Sequence, residues 1–138
     1  MIDESFGVIP LRKKKSEWEV FIVYHKSGKY WGFPKGHADS NETFQESAIR
    51  ELKEETNLEP VKFIQEDPFI EKYEYFYKGK KISKTVLYYL LEVKGEVHLQ
   101  KEEIVDGRWL PFEEAIKILS FSQAKSFCQE LEKITKNI

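Results

Sequence analysis

A helix whose two ends are written into its own residues, set between stretches of extended character, is the feature that most constrains this chain. Thr43 followed three residues later by Glu46 has the form of a capping box, in which the hydroxyl and the carboxylate each accept from a backbone N–H at the start of a helix. Phe44, Ala48 and Leu52 recur every fourth residue and give an apolar stripe able to pack on a sheet. Asn57 suits the left-handed position that ends a helix, so the spacing predicts a helix from about Phe44 to about Thr56. Upstream, Ser5 to Arg12 and Trp18 to His25 read as strands, and Pro34 keeps Lys29 to Phe33 extended, so Lys35-Gly36-His37 is expected to be a loop. Downstream, VKFI, IEKYEYFY and KTVLYYLLEV read as three strands, and Val105 to Leu110 as a short fourth. Pro111 opens a helix carrying Phe112, Ala115, Ile116 and Leu119 on one face, and a last helix over Ser122 to Lys136 turns Ala124, Phe127, Leu131 and Ile134 inward. Strands on both sides of a central helix, with a helical pair at the end, predict an α/β layered domain with a mixed sheet, one unit over residues 1–138.

The central helix also carries an electrostatic problem. Glu51, Glu54 and Glu55 stand at i, i+3 and i+4 and converge on one face, with Glu42 and Glu46 adding negative charge upstream. Like charges at this spacing cost about 0.2–0.5 kcal/mol per pair even in water. Arg50 and Lys53 could balance them as a solvated acidic face; a hard divalent cation, which takes oxygen ligands, would relieve the repulsion more fully.

Composition narrows the partners. The net charge is only −2, so no global field draws the chain to nucleic acid or anionic lipid, and an anionic ligand must be held locally. The longest apolar run, Val86 to Leu91, is far too short to span a bilayer and reads as a buried strand. One cysteine, Cys128, can form no internal disulfide, and the N-terminus has no signal-peptide stretch, so a reducing cytoplasmic setting is expected.

Gly36, Glu42, Arg50-Glu51-Leu52, Glu54-Glu55 and Leu58 resemble, in residue type and spacing, the signature of the Nudix hydrolase superfamily, with Asn57 where the family has glycine. Asparagine tolerates the left-handed backbone required there. The resemblance implies a Nudix-like α/β/α sandwich and a box spanning residues 36–58. It also implies metal ligation by Glu51, Glu54, Glu55 and the Gly36 carbonyl, and an Arg50 that orients a carboxylate. The cofactor implied is Mg²⁺, with Mn²⁺ as a substitute, and Glu51 is the favoured general base, with Glu54 or a glutamate outside the box as its rivals.

Over nearly its whole length the chain is further similar to the asymmetric diadenosine tetraphosphate hydrolase branch, through SFGVIPLR, WGFPKGH, KTVLYYLLEVKG and EEIVDGRWLPFEEA. That likeness implies phosphate contacts at Lys35, His37 and Lys84, a base-stacking Tyr73, and an additional metal or base glutamate at Glu103. Nearby rivals are Lys80 and Lys81 for the lysine, Tyr75, Tyr77 and Tyr88 for the tyrosine, and Glu102 for the glutamate. The expected substrate is a small dinucleoside polyphosphate, cleaved to ATP and AMP. The competing expectations are removal of pyrophosphate from 5′-triphosphorylated RNA, another nucleoside-diphosphate-linked hydrolysis, and a non-catalytic nucleotide-binding module.

Overall fold

The computed structural model describes all residues from Met1 to Ile138. Eight strands and three helices follow in chain order: β1 (Ile2–Lys14), β2 (Glu17–His25), β3 (Tyr30–Gly32), β4 (Lys35–Gly36), α1 (Phe44–Thr56), β5 (Glu59–Phe63), β6 (Phe69–Tyr77), β7 (Lys80–Lys94), β8 (Ile104–Pro111), α2 (Phe112–Ile118) and α3 (Ser122–Thr135). No helix is long and apolar enough to cross a membrane.

One mixed sheet contains all eight strands. At its centre β1 and β7 run parallel, in register from Ile2↔Ser83 to Leu11↔Glu92. Each of these long strands serves two further partners. β1 pairs with β4 at Phe6 and Gly7 and with β2 from Leu11 onward; β7 pairs with β6 through its first half and with β5 near its end. β2 also pairs with β3 and, along Glu19 to His25, with β8.

Alternation along the central strands builds two cores. Val20, Ile22, Val86, Tyr88 and Leu90 face α2 and α3 with Ala115, Leu119, Cys128 and Leu131. Phe21, Val23, Tyr89, Leu91 and Val93 face α1 with Ala48 and Leu52. The run Val86 to Leu91 is therefore apolar on both faces because helices cover both, as in any sheet buried on two sides. The resulting layers are the expected sandwich.

Helix α1 begins and ends as its residues dictate. The Thr43 hydroxyl accepts from the Glu46 N–H at 3.1 Å, the Glu46 carboxylate accepts from the Thr43 N–H at 2.8 Å, and Asn57 sits at φ 70°. Phe44 departs from the expected inward stripe: it is half exposed and lies flat on Phe6, with ring centroids 4.3 Å apart. Its place in the first turn leaves it as an outer cover over the core residue Phe6.

The second departure is β4. Lys35-Gly36, expected as a loop, makes a two-residue bridge to β1, and the Val8 N–H donates to the Pro34 carbonyl at 3.1 Å. Gly7 permits this approach, since a Cβ there would lie 2.3 Å from the Pro34 oxygen and 2.8 Å from the Lys35 Cβ. Gly7→Ala is therefore expected to destabilise the protein by about 1–3 kcal/mol, as overpacking does. Urea unfolding of parent and variant measures it, and an unchanged midpoint would show that the 34–36 segment gives way freely.

Candidate functional site

Strand β4 and helix α1 meet at Gly36. A Cβ on Gly36 would fall 2.1 Å from the carboxyl carbon of Glu51, so only glycine lets that carboxylate lie against the loop backbone. Glu55, one turn further on, is 2% exposed and its Oε1 has no hydrogen-bond partner. Burial above all, then the charge of Glu51 and a hydrogen bond with it and the charge of Glu103, together push the Glu55 carboxyl up to about 9, and only the Lys35 backbone N–H opposes them. A buried, half-unsatisfied carboxylate facing two others is what a site for a positive ligand looks like without that ligand's charge.

Arg50 organises the exposed side of this cluster. Its Nε donates to Glu42 at 2.9 and 3.1 Å, its Nη1 to Glu51 at 2.9 Å and to both oxygens of Glu54 at 3.2 Å, and its Nη2 to the His37 carbonyl at 2.9 Å. The bond from Arg50 outweighs partial burial and holds the Glu42 carboxyl below its ordinary value. The guanidinium thus aligns Glu51 and ties the loop before α1 to the helix, as charge-assisted forks do. Glu54 is half exposed and turned toward Arg50. No three of these carboxylates converge closely enough to cage an ion as they stand. Glu51, set against the Gly36 backbone, and the neighbouring Glu55 supply hard oxygen donors, with Glu54 on the same helix, and this donor set fits Mg²⁺.

The residues after β7 close the cluster. The His98 and Gln100 N–H groups donate to the Thr56 and Glu55 carbonyls at 2.9 and 3.0 Å, satisfying the end of α1, and the Lys26 N–H donates to the Glu103 carbonyl at 2.8 Å. Both Glu102 and Glu103 line the resulting cleft of about 570 Å³, and of the two it is Glu103 whose charge acts on Glu55.

At the other end the cleft is cationic. Lys84 is 6% exposed and its ammonium donates to Asp3 Oδ2 at 2.8 Å and to the Ser5 hydroxyl. An ammonium has three donors, so one is left for a ligand. Burial lowers the Lys84 pKa, and the bond to Asp3 opposes that shift. His37 Nε2 lies 2.9 Å from Asp3 Oδ1, and the Tyr75 hydroxyl donates to Asp3 Oδ2 at 3.2 Å. Burial alone would raise the Asp3 carboxyl; the hydrogen bonds and charges of Lys84 and His37 outweigh it and hold Asp3 below its ordinary value. Lys35 lies over Tyr30, 5.8 Å from the ring centroid.

Tyr73 stands directly opposite Lys84 across β6 and β7, is partly exposed, and lies 6.2 Å from the Tyr75 ring. Of the alternatives, Tyr88 is core, Tyr77 sits out beside Lys78, and Lys81 pairs with Glu74 at the surface. The structure therefore gathers Lys35, Gly36, His37, Arg50, Glu51, Glu55, Lys84 and Glu103 around one cleft, while Glu54 and Tyr73 lie outside its lining, the first against Arg50 and the second opposite Lys84. Asp3, Ser5 and Tyr30 were not singled out in the sequence. Only the parallel register of β1 and β7 brings Asp3 opposite Lys84, and no local pattern announces it.

Comparison with known proteins identifies the family and agrees with the fold. The NUDIX domain family profile matches residues 1–131. Over 104 residues the chain is 38% identical to the bis(5′-nucleosyl)-tetraphosphatase [asymmetrical] of Rattus norvegicus, covering 73% of this chain and 69% of that one. It is 30% identical to the Caenorhabditis elegans protein of the same name, over 94% of each. The crystal structure of a C. elegans Ap4A hydrolase binary complex superposes with a TM-score of 0.75 and 27% identity over 99% of both chains.

Unfolded, Glu55 titrates near 4.5; in the fold its proton is held to about 9. Between those values the unfolded chain binds fewer protons, so the cation-free fold loses stability as pH rises. Glu55→Gln is expected to flatten that dependence in chelator, giving at pH 8 a melting temperature equal to or above the parent's, and to gain less than the parent from added Mg²⁺. Thermal melts across pH with chelator and with Mg²⁺ check this; parallel curves for the two proteins would contradict it.

Proposed function

This chain belongs to the NUDIX family and is a Nudix hydrolase, and from that premise we propose that it hydrolyses diadenosine 5′,5‴-P1,P4-tetraphosphate with water to ATP and AMP. The observation that carries the reading is the polarity of the cleft, acidic at Glu51, Glu55 and Glu103 and cationic at Lys35 and Lys84, with Tyr73 beside Lys84. A chain of phosphates needs cations along its length, a nucleoside at its end needs an aromatic face, and the carboxylates must be bridged to the phosphates by positive charge. The relatives named asymmetrical tetraphosphatases support the same choice.

In this reading Gly36, Glu51, Glu54, Glu55 and Glu103 would hold Mg²⁺. When bound, the ion neutralises phosphate charge and makes water more acidic. Lys35, Lys84 and His37 take the phosphate oxygens, and Asp3 keeps the Lys84 and His37 side chains in place beside the cleft. Arg50 holds Glu51 against Gly36. Glu51 accepts the proton of the attacking water, whose oxygen bonds to phosphorus as a bridging P–O bond breaks and AMP and ATP separate. No group of the protein is covalently modified. The buried, unpaired Cys128 suits a reducing cytoplasm.

With Mg²⁺ and the dinucleotide, chromatography should show ATP and AMP appearing in equal amounts; no turnover of the dinucleotide beside rapid pyrophosphate release from 5′-triphosphorylated RNA would replace this substrate. Glu54→Gln is expected to lower kcat by about 100-fold or more while leaving the fold intact, the order of loss for a group stabilising the transition state. Lys84→Met should raise KM about 10-fold or more through loss of a charge-assisted hydrogen bond. A Lys84→Met enzyme with parental KM would move the phosphate contact elsewhere.

A further inference from the structure

Two carboxylates are buried in this protein, Glu55 and Glu71, and the hydrolytic reading uses only the first. Glu71 is 6% exposed, on the inner face of β6 opposite Val86, two residues from Tyr73 on the same face. Its carboxylate makes no hydrogen bond and no ion pair, whereas the partly buried Asp3 and Glu42 are each held by several. The side chain is enclosed, yet its oxygens are not sealed off and no protein donor claims them, so they stay reachable by a ligand donor.

The surroundings of Glu71 are fixed from two sides. The Lys72 N–H donates to Gln123 Oε1 at 3.0 Å and the Lys72 carbonyl accepts from Gln123 Nε2 at 2.7 Å, which pins β6 to the first turn of α3 with Glu71 enclosed and Tyr73 still partly exposed. On the opposite side the Trp31 N–H donates to the Ser120 hydroxyl at 2.9 Å and Phe121 packs on Tyr30, with centroids 5.1 Å apart. Residues 120–123 thus tether β3 and β6 together, with Tyr30 under Lys35 and Tyr73 opposite Lys84, two lysines of the cleft wall, and Glu71 two residues from Tyr73 on β6. The charge of Glu71 is felt by both tyrosines, and that of Lys35 by Glu71.

We infer that Glu71 is a specificity-determining residue that reads the base: its carboxylate accepts a hydrogen bond from the exocyclic amino group of an adenine stacked on Tyr73. Stacking tolerates any base, so preference must come from the base edge. A carboxylate acceptor favours an amino group and repels the oxo group that hypoxanthine carries in its place. This inference rests on the dinucleotide reading of the cleft but makes a separate claim.

The test compares diadenosine with diinosine tetraphosphate, by turnover in Mg²⁺ and by calorimetric titration of their non-hydrolysable analogues. For the parent protein, KM and Kd are expected to be lower for the adenine compound by about 10-fold or more, the effect of one hydrogen bond to a charged group, with similar kcat. Glu71→Leu should bring the adenine values to the inosine ones, change kcat little, and leave the melting temperature equal or higher. Glu71→Gln, which retains an acceptor oxygen, should keep part of the preference. Equal affinities in the parent, or a Glu71→Leu or Glu71→Gln variant that weakens both compounds equally, would overturn the inference. Adenine preference in binding without turnover would instead remove the hydrolytic reading and leave Glu71 in its role.

Discussion

The parallel pairing of β1 with β7 sets the geometry on which the rest depends. Its register puts Asp3 beside Lys84 and Ser5 beside Val86, so that the Lys84 ammonium is buried and still has two acceptors. The same alignment carries Gly7 to Tyr88, where the missing side chain admits Pro34 and Lys35 and makes β4 possible. β4 in turn presents Gly36 to Glu51. A one-residue slip would reverse the faces of every side chain on the pair and dismantle both ends of the cleft together.

What the fold then does is hold like charges closer than they would choose to be. Glu51 and Glu55 are on one helix face, Glu103 arrives from the segment satisfying that helix's last carbonyls, and Arg50 compensates only the exposed side. The cationic end is arranged the opposite way, with Asp3 partly neutralising Lys84 and His37. The acidic end is therefore undercompensated. A stable protein keeps such a cluster where a bound cation returns the missing interaction energy.

Much of this was legible in the sequence, and the pattern of what was not is physical. Local rules found α1 from Thr43 and Glu46 at one end and Asn57 at the other, and the apolar run of β7 marked a strand covered on both faces. The spacing from Gly36 to Leu58 located the acidic face. Features set by pairing between distant segments were hidden: the extension of β1 back to Ile2, the β4 bridge, the Asp3–Lys84 ion pair, and the tether of β6 to Gln123. Phe44 fits the helical stripe and still lies half exposed, because periodicity gives a direction and not what covers the far side of a ring stacked on Phe6. Glu71 gives no sign of its burial in the sequence, since it lies in a strand rich in charged residues and only the folded chain shows it enclosed on the face it shares with Tyr73.

The central claim is that one cleft holds a divalent cation at Gly36, Glu51 and Glu55 and the phosphates of a dinucleotide at Lys35 and Lys84. A crystal structure with Mg²⁺ and a non-hydrolysable diadenosine tetraphosphate tests it most directly. The account predicts the ion on the Gly36 carbonyl and the Glu51 and Glu55 carboxylates, bridging to phosphate oxygens that also meet the Lys84 ammonium, with a base against Tyr73. An ion bound away from Glu55, or phosphates lying outside the reach of Lys35 and Lys84, would contradict it.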